Sequence, residues 1–217
     1  MSNFPVLDEQ AVREEICEVG RRLYQLFLVA ANDGNISVRI SDTEILMTPT
    51  NISKGYMTPD DIVKLDLAGN MISANGNHKA SSERRMHLAI YRERQDVRGV
   101  VHAHPPTATG FAVANVSLDQ PFLPEVVVRA GVAPVVPYAI PGGEELPNSI
   151  VPYVHDHNSL LLGNHGAVTY GPTLRDAHFN METLELNARI FLVAHQLGHI
   201  EYLNDAQVEA LRERYGC

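Results

Sequence analysis

Residues Val100-Val101-His102-Ala103-His104, closed by Pro105-Pro106, constrain this chain more than any other segment. The β-branched, apolar run over 97–104 predicts a strand, and the two prolines stop it where the histidines lie. Alternate residues on a strand project to one face, so two imidazoles stand side by side in the geometry of a bidentate metal clamp. His165, in Gly163-Asn164-His165-Gly166, sits just past a second apolar strand at 159–162 and reaches the same point if the two strand ends are neighbours. Three protein ligands leave one coordination position open, as in catalytic rather than structural zinc, although three imidazoles also suit manganese, cobalt or iron. His155-Asp156-His157 repeats the spacing in a polar turn, where solvent exposure is expected. His78, His87, His178, His195 and His199 fall in loop or helix contexts and read as surface or packing residues.

Around this clamp the chain alternates strands and helices. Val12, Ile16, Val19, Leu23, Leu26, Phe27 and Ala30 recur at helical spacing and predict an amphipathic helix over 8–30. Strands follow at 36–40, 44–47 and 62–67. A polar loop over 71–80 then leads to Ser81-Ser82-Glu83 and a helix carrying Met86, Ala89 and Ile90, with Ser81 or Ser82 as its N-cap. Downstream, the pattern predicts helices at 107–114, 144–154, 173–197 and 205–215, and strands at 125–128, 132–138 and 159–162. Interleaved strands and helices give an α/β/α layered arrangement. With 217 residues and no repeat, linker or low-complexity tract, the expectation is one domain over 1–217.

The formal net charge of -9 argues against general binding to nucleic acid, so an anionic ligand must be captured locally. The N-terminal residues lack the basic and apolar regions of a secretory signal, and no apolar run is long enough to span a bilayer, which makes the cytoplasm the expected compartment. Two cysteines, Cys17 and Cys217, are too few for a disulfide framework and are expected to be reduced thiols.

Ser81 and Ser82, ahead of a predicted helix, offer hydroxyls and free backbone N–H groups at the positive end of a helix dipole, a seat for a phosphate. Gly34-Asn35 and Thr48-Pro49-Thr50-Asn51 are small polar turns able to donate to the same anion. Glu83 follows the serines directly and lies within reach of both phosphate and metal, where it reads as a general acid/base kept ionised by the nearby cation.

Taken in order, Gly34-Asn35-Ile36-Ser37, Thr48-Pro49-Thr50, Ser81-Ser82-Glu83, His102-x-His104 and Asn164-His165-Gly166 resemble the motifs of the class II aldolase/adducin family, most like its L-fuculose-phosphate aldolase branch. The likeness runs from about residue 10 to residue 200. It implies a three-layer α/β/α fold on a central, mainly antiparallel sheet, with zinc on His102, His104 and His165. It also implies a phosphate pocket from Asn35, Thr50, Asn51, Ser81 and Ser82, with Glu83 as acid/base, and a homotetramer with active sites between subunits. The implied reaction is cleavage of a ketose 1-phosphate to dihydroxyacetone phosphate and an aldehyde through a metal-stabilised enediolate. Two positions depart from the family. Asn51 stands where the aldolases usually have Gly. Glu125, in Leu123-Pro124-Glu125-Val126, stands where they carry a tyrosine, and resembles the catalytic base of the methylthioribulose-phosphate dehydratase branch. Tyr215 matches the aldolases' C-terminal tyrosine. The alternatives are therefore dehydration, epimerisation or decarboxylation on the same metal site, and, from a different class, a scaffold like the adducin head, which predicts a decayed metal set.

Overall fold

The computed structural model describes residues 5–216, the side chain of Ala130 excepted. Its first helix, α1 (Glu9–Gln25), begins where the Asp8 carboxylate accepts from the Ala11 amide at 2.7 Å. It ends earlier than the apolar spacing predicts. Phe27 takes the left-handed conformation, φ 57°, while its amide and that of Leu28 bond back to Tyr24 and Leu23. That closure is the helix-ending motif usually built on glycine. It turns Leu28 and Val29 into the core and leaves Phe27 exposed.

Eight strands then form one sheet: β1 (Asn35–Arg39), β2 (Glu44–Met47), β3 (Val63–Asp66), β4 (Met71–Ser73), β5 (Gly99–Ala103), β6 (Val135–Val136), β7 (Ser159–Leu162) and β8 (Gly166–Gly171). Their order is β4-β3-β2-β1-β5-β8-β7-β6, antiparallel except where β6 joins β7. The helices between and after them are α2 (Arg84–Glu93), α3 (Pro106–Ala114), α4 (Glu145–Val154), α5 (Leu174–Gln196) and α6 (Asp205–Tyr215). The layering follows from strand alternation. Ile36 and Val38 of β1 and Val101 and Ala103 of β5 pack with α1, α3 and α5, whereas Val100 of β5 and Val168 of β8 pack with α2 and α4. Asn35, Ser37 and His102, on the alternate positions, consequently face α2.

Four further expectations are corrected. The β-branched run at 125–128 is not a strand: Val126–Ala130 winds into a π-helical turn against α5 and α6, so packing overrides local propensity. The strand expected over 132–138 shrinks to Val135–Val136, because Pro134 and Pro137 remove a ladder donor on either side. The loop at 71–80 contains the edge strand β4, whose three residues are all exposed and so give no apolar signal. Finally, neither Ser81 nor Ser82 is the N-cap of α2. Glu83 occupies that position, and the Ser81 hydroxyl instead accepts from the Glu83 amide at 3.2 Å. This turn leaves the Glu83 carboxylate free to point away from the helix end. Cys17 is buried, and burial pushes its thiol up to about 11; Cys217 lies outside the described residues. Among the described residues no helix is long and apolar enough to cross a membrane.

Candidate active site

β5 lies between β1 and β8 near the middle of the sheet, and the site is built across these three strands. His102 is fully buried, with Nδ1 2.9 Å from the Ala167 carbonyl of β8. That contact places the proton on Nδ1 and leaves the Nε2 lone pair facing the site. His104, just past the strand end, has Nδ1 3.6 Å from the Asp33 carboxylate, and its backbone amide bonds to Leu28 in the turn that ends α1. His165 sits in the three-residue loop between β7 and β8, where Asn164 adopts φ 52°. The three rings stand 4.7 to 5.3 Å apart between centroids, and one nitrogen from each lies within 4.8 Å of the others.

The donor set fits a divalent cation. The Nε2 atoms of His102 and His104 approach to 3.3 Å, and the bond from His102 Nδ1 to the Ala167 carbonyl leaves His102 Nε2 as a lone-pair nitrogen facing His104. Two nitrogens bound at zinc distances around one tetrahedral ion lie about 3.3 Å apart. Glu83 closes the cluster, with Oε2 3.2 Å from His102 Nε2 and Oε1 3.3 Å from His165 Nε2. Gly166 makes the approach possible: a Cβ there would fall 2.5 Å from His104 Cδ2 and 2.6 Å from the Ala103 carbonyl.

Charge in this cluster is strongly coupled. Burial alone pushes the Glu83 carboxyl up, but His102, His165 and the Asn35 amide together hold it well below the usual carboxylate range. Burial pulls His102 down, and Glu83 more than offsets that, so His102 is raised. His165 is lowered to about 4 by burial and the neighbouring His102, and His104 is lowered for the same reasons. Glu83 thus favours the charged form of His102, whereas burial and the neighbouring His102 disfavour it at His104 and His165.

The segments expected from sequence to receive an anion come together next to Glu83. Pro49 pairs with Ala80, the Thr50 amide donates to the Lys79 carbonyl and the Ser81 amide to Thr48, which sets the Thr48–Thr50 turn against the segment carrying Ser81 and Ser82. Ser81 is buried and Ser82 exposed. Asn51 has φ 63°, a left-handed conformation that glycine adopts freely and asparagine tolerates, which accounts for its standing where the aldolases have Gly. Asn35 is buried, and its amide donates to Glu83 Oε2 at 2.8 Å. Glu125 and Tyr215 are exposed, at the start of the π-helical turn and the end of α6. Neither hydrogen-bonds to the three histidines or to Glu83.

Sequence reasoning missed Asp33, Lys54 and His87. Lys54 is buried, donates to the carbonyls of Asn32 and Ile52 at 3.1 and 2.7 Å, and so ties the segment after the Thr48–Asn51 turn to the loop ahead of β1. His87, read as a surface or packing residue, is packed and fully buried, and what the sequence did not show is its bonding to Asn35 and Ser37.

Known proteins share both sequence and architecture with this chain. Residues 14–192 match the model of the Class II Aldolase and Adducin N-terminal domain. The 3-oxo-tetronate 4-phosphate decarboxylase of Haemophilus influenzae is 33% identical over 96% of this chain and 99% of its own length. The L-fuculose phosphate aldolase of Methanocaldococcus jannaschii is 32% identical over 83% of this chain and 96% of its own. A solved structure of L-fuculose 1-phosphate aldolase superposes with a TM-score of 0.88 at 28% identity, covering 95% of this chain and 97% of that one.

Proposed function

The chain belongs to the class II aldolase and adducin N-terminal domain family, and on that premise we propose that it is a metal-dependent decarboxylase of a 3-oxo sugar-acid phosphate such as 3-oxo-tetronate 4-phosphate. The observation that carries this reading is the match to a decarboxylase of that substrate over nearly the whole of both chains. It moves ketose 1-phosphate cleavage, the first expectation from sequence, to second place. That second reading is supported by the aldolase relative and by the shared geometry.

The chemistry of the two reactions converges. In a 3-oxo acid the C1–C2 bond breaks, carbon dioxide leaves, and the electron pair left at C2 is delocalised onto the C3 oxygen. A proton delivered to C2 then completes dihydroxyacetone phosphate, which is also the ketone product of ketose 1-phosphate cleavage. A divalent ion held by His102, His104 and His165, zinc by preference, supplies Lewis-acid stabilisation of that oxygen when bound. Asn35, Thr50, Asn51, Ser81 and Ser82 hold the phosphate through hydroxyl, amide and backbone donors. Glu83 carries the proton. An anionic substrate entering beside it brings negative charge and parts it from the imidazoles, and both changes raise its basicity.

The reading includes a single domain over 1–217, cytoplasmic location and a homotetramer with active sites between subunits. The exposed positions of Glu125 and Tyr215 suit contact with a neighbouring subunit's centre. Dehydration or epimerisation rests on Glu125, which has no support within one subunit. The scaffold alternative expects a decayed metal set, whereas all three histidines and Glu83 are in place.

The test is to incubate zinc-loaded protein separately with 3-oxo-tetronate 4-phosphate and L-fuculose 1-phosphate, trapping carbon dioxide and measuring dihydroxyacetone phosphate. One carbon dioxide per dihydroxyacetone phosphate from the 3-oxo acid is expected. Product from the ketose alone, accompanied by an aldehyde and no carbon dioxide, replaces the decarboxylase with the aldolase.

A further inference from the structure

We propose that His87 is a positioning residue: acting through the Asn35 amide, it tethers one oxygen of Glu83, Oε2, and leaves Oε1 as the oxygen that exchanges the proton. The inference deepens the reading of Glu83 as acid/base and rests on that reading for its functional half.

The geometry begins in a match of periods. Asn35 and Ser37, two apart on β1, are separated by roughly 6.6 Å along the strand. His87 and Tyr91, four apart on α2, are separated by about 6 Å along the helix. Strand and helix therefore present two polar groups each at nearly equal spacing, and all four are buried. His87 Nδ1 meets Ser37 Oγ at 2.7 Å, and His87 Nε2 meets Asn35 Oδ1 at 2.5 Å. Ser37 Oγ also meets the Tyr91 hydroxyl at 2.8 Å.

The direction of this relay is fixed at the Glu83 end. An ionised carboxylate accepts and never donates, and bonds to it are roughly twice as strong as neutral ones. Asn35 Nδ2 must therefore donate to Glu83 Oε2, which turns Asn35 Oδ1 towards His87. His87, held neutral because burial lowers it to about 3, must then carry its proton on Nε2. Its bare Nδ1 accepts from Ser37, and the Tyr91 hydroxyl shares its proton between Ser37 Oγ at 2.8 Å and the Arg98 carbonyl at 3.1 Å. Reversing the relay would place Asn35 Oδ1 against Glu83 Oε2, two acceptors face to face at the 2.8 Å now spanned by a hydrogen bond.

The consequence falls on the two carboxylate oxygens unequally. Oε2 accepts from Asn35, whereas Oε1 is buried with no hydrogen-bond partner among the described residues and faces His165 Nε2 at 3.3 Å. Both oxygens border the histidine cluster, Oε2 at 3.2 Å from His102 Nε2 and Oε1 at 3.3 Å from His165 Nε2, and Oε1, with no amide donor, is the more basic of the two.

The test has two arms. Nitrogen-15 NMR of histidine-labelled protein, with the His87 signals assigned by their loss in His87→Gln, reads the tautomer directly; it needs no substrate, so its outcome is independent of the proposed reaction. The neutral Nε2–H form, slow to exchange, is expected, and the Nδ1–H form overturns the relay. The second arm compares His87→Gln, which keeps an N–H donor for Asn35, with His87→Leu, which does not. With the metal loaded, His87→Leu should lose roughly tenfold to a hundredfold in kcat with little change in KM, and His87→Gln should recover most of it. Equal losses in both variants at unchanged fold, or no loss in His87→Leu, overturn the positioning role. Should His87→Leu fail to fold, Ser37→Ala removes the donor to Nδ1 while the Asn35 and Glu83 end stays intact; the Nε2–H form should persist there, and an Nδ1–H form or a mixture overturns the proposed relay.

Discussion

Gly166→Ala tests whether the approach of β8 to His104 is what assembles the metal centre. An added Cβ would stand 2.5 Å from His104 Cδ2 and 2.6 Å from the Ala103 carbonyl. Carbon atoms settle at about 3.5 Å, so the imidazole must retreat by roughly 1 Å. The carbonyl cannot yield in its place, since Ala103 is paired with Ala167 in the β5–β8 ladder. Metal–ligand distances tolerate about 0.2 Å, a fifth of that displacement, so His104 is lost as a ligand. Zinc affinity should fall at least about a hundredfold, the upper end of what disturbing a ligand's support costs. Overpacking should also lower stability by about 1 to 3 kcal/mol. The assay is zinc titration against a competing chelator, with urea unfolding alongside. Gly110→Ala in α3 is the control, since nothing lies within 4 Å of a Cβ there, and it should leave zinc affinity unchanged. A folded Gly166→Ala protein that binds zinc as wild type does would refute the role of close approach.

Metal linkage should be visible in unfolding. Free zinc at a hundred times its Kd should add about 2.7 kcal/mol to wild type and nothing to His102→Ala, as read by urea midpoints with and without chelator. Glu185→Ala removes the carboxylate that accepts from the Thr107 and Ala108 amides at 3.0 and 2.9 Å, at the start of α3. It should cost about 1 to 3 kcal/mol in urea, and weaken zinc binding through His104 just upstream; unchanged stability would deny the cap any role. For Lys54, burial lowers the folded-state value to about 8 from 10.5. The unfolded chain therefore holds more protons across that window, and stability should rise with pH between these values by up to about 3 kcal/mol relative to Lys54→Met. Parallel pH profiles for the two proteins would contradict it.

The parts of the fold that were legible in the sequence are those where burial imprints a period. The spacing of α5 and the alternation through Val100 to His104 place a helix and a strand correctly, and with them His102 and His104. β8 went unread because it begins and ends on glycine, Gly166 and Gly171, and the close approach that demands Gly166 is a tertiary fact. The three valines after Glu125 carry strand propensity, yet packing against α5 and α6 winds them into a π-helical turn. At the site, residue type singled out His165 as a metal donor and Glu83 as an acid/base next to it, and the fold brings the two within 3.3 Å. The support of Asn35 by His87 left a fainter mark. A buried histidine and tyrosine four apart on a helix say little until set against an asparagine and a serine two apart on the facing strand.

The central position of β5 also bears on when the ion is captured. His102 and Ala167, whose contact sets the tautomer that ligates, lie 65 positions apart, and Asn35 meets Glu83 across 48. No short piece of the nascent chain holds the full donor set, unlike a zinc finger, where metal and folding arrive together. Strands distant in sequence must be paired before the full donor set exists. The ion therefore reports on the tertiary arrangement of β1, β5 and β8 together, and on no local segment alone.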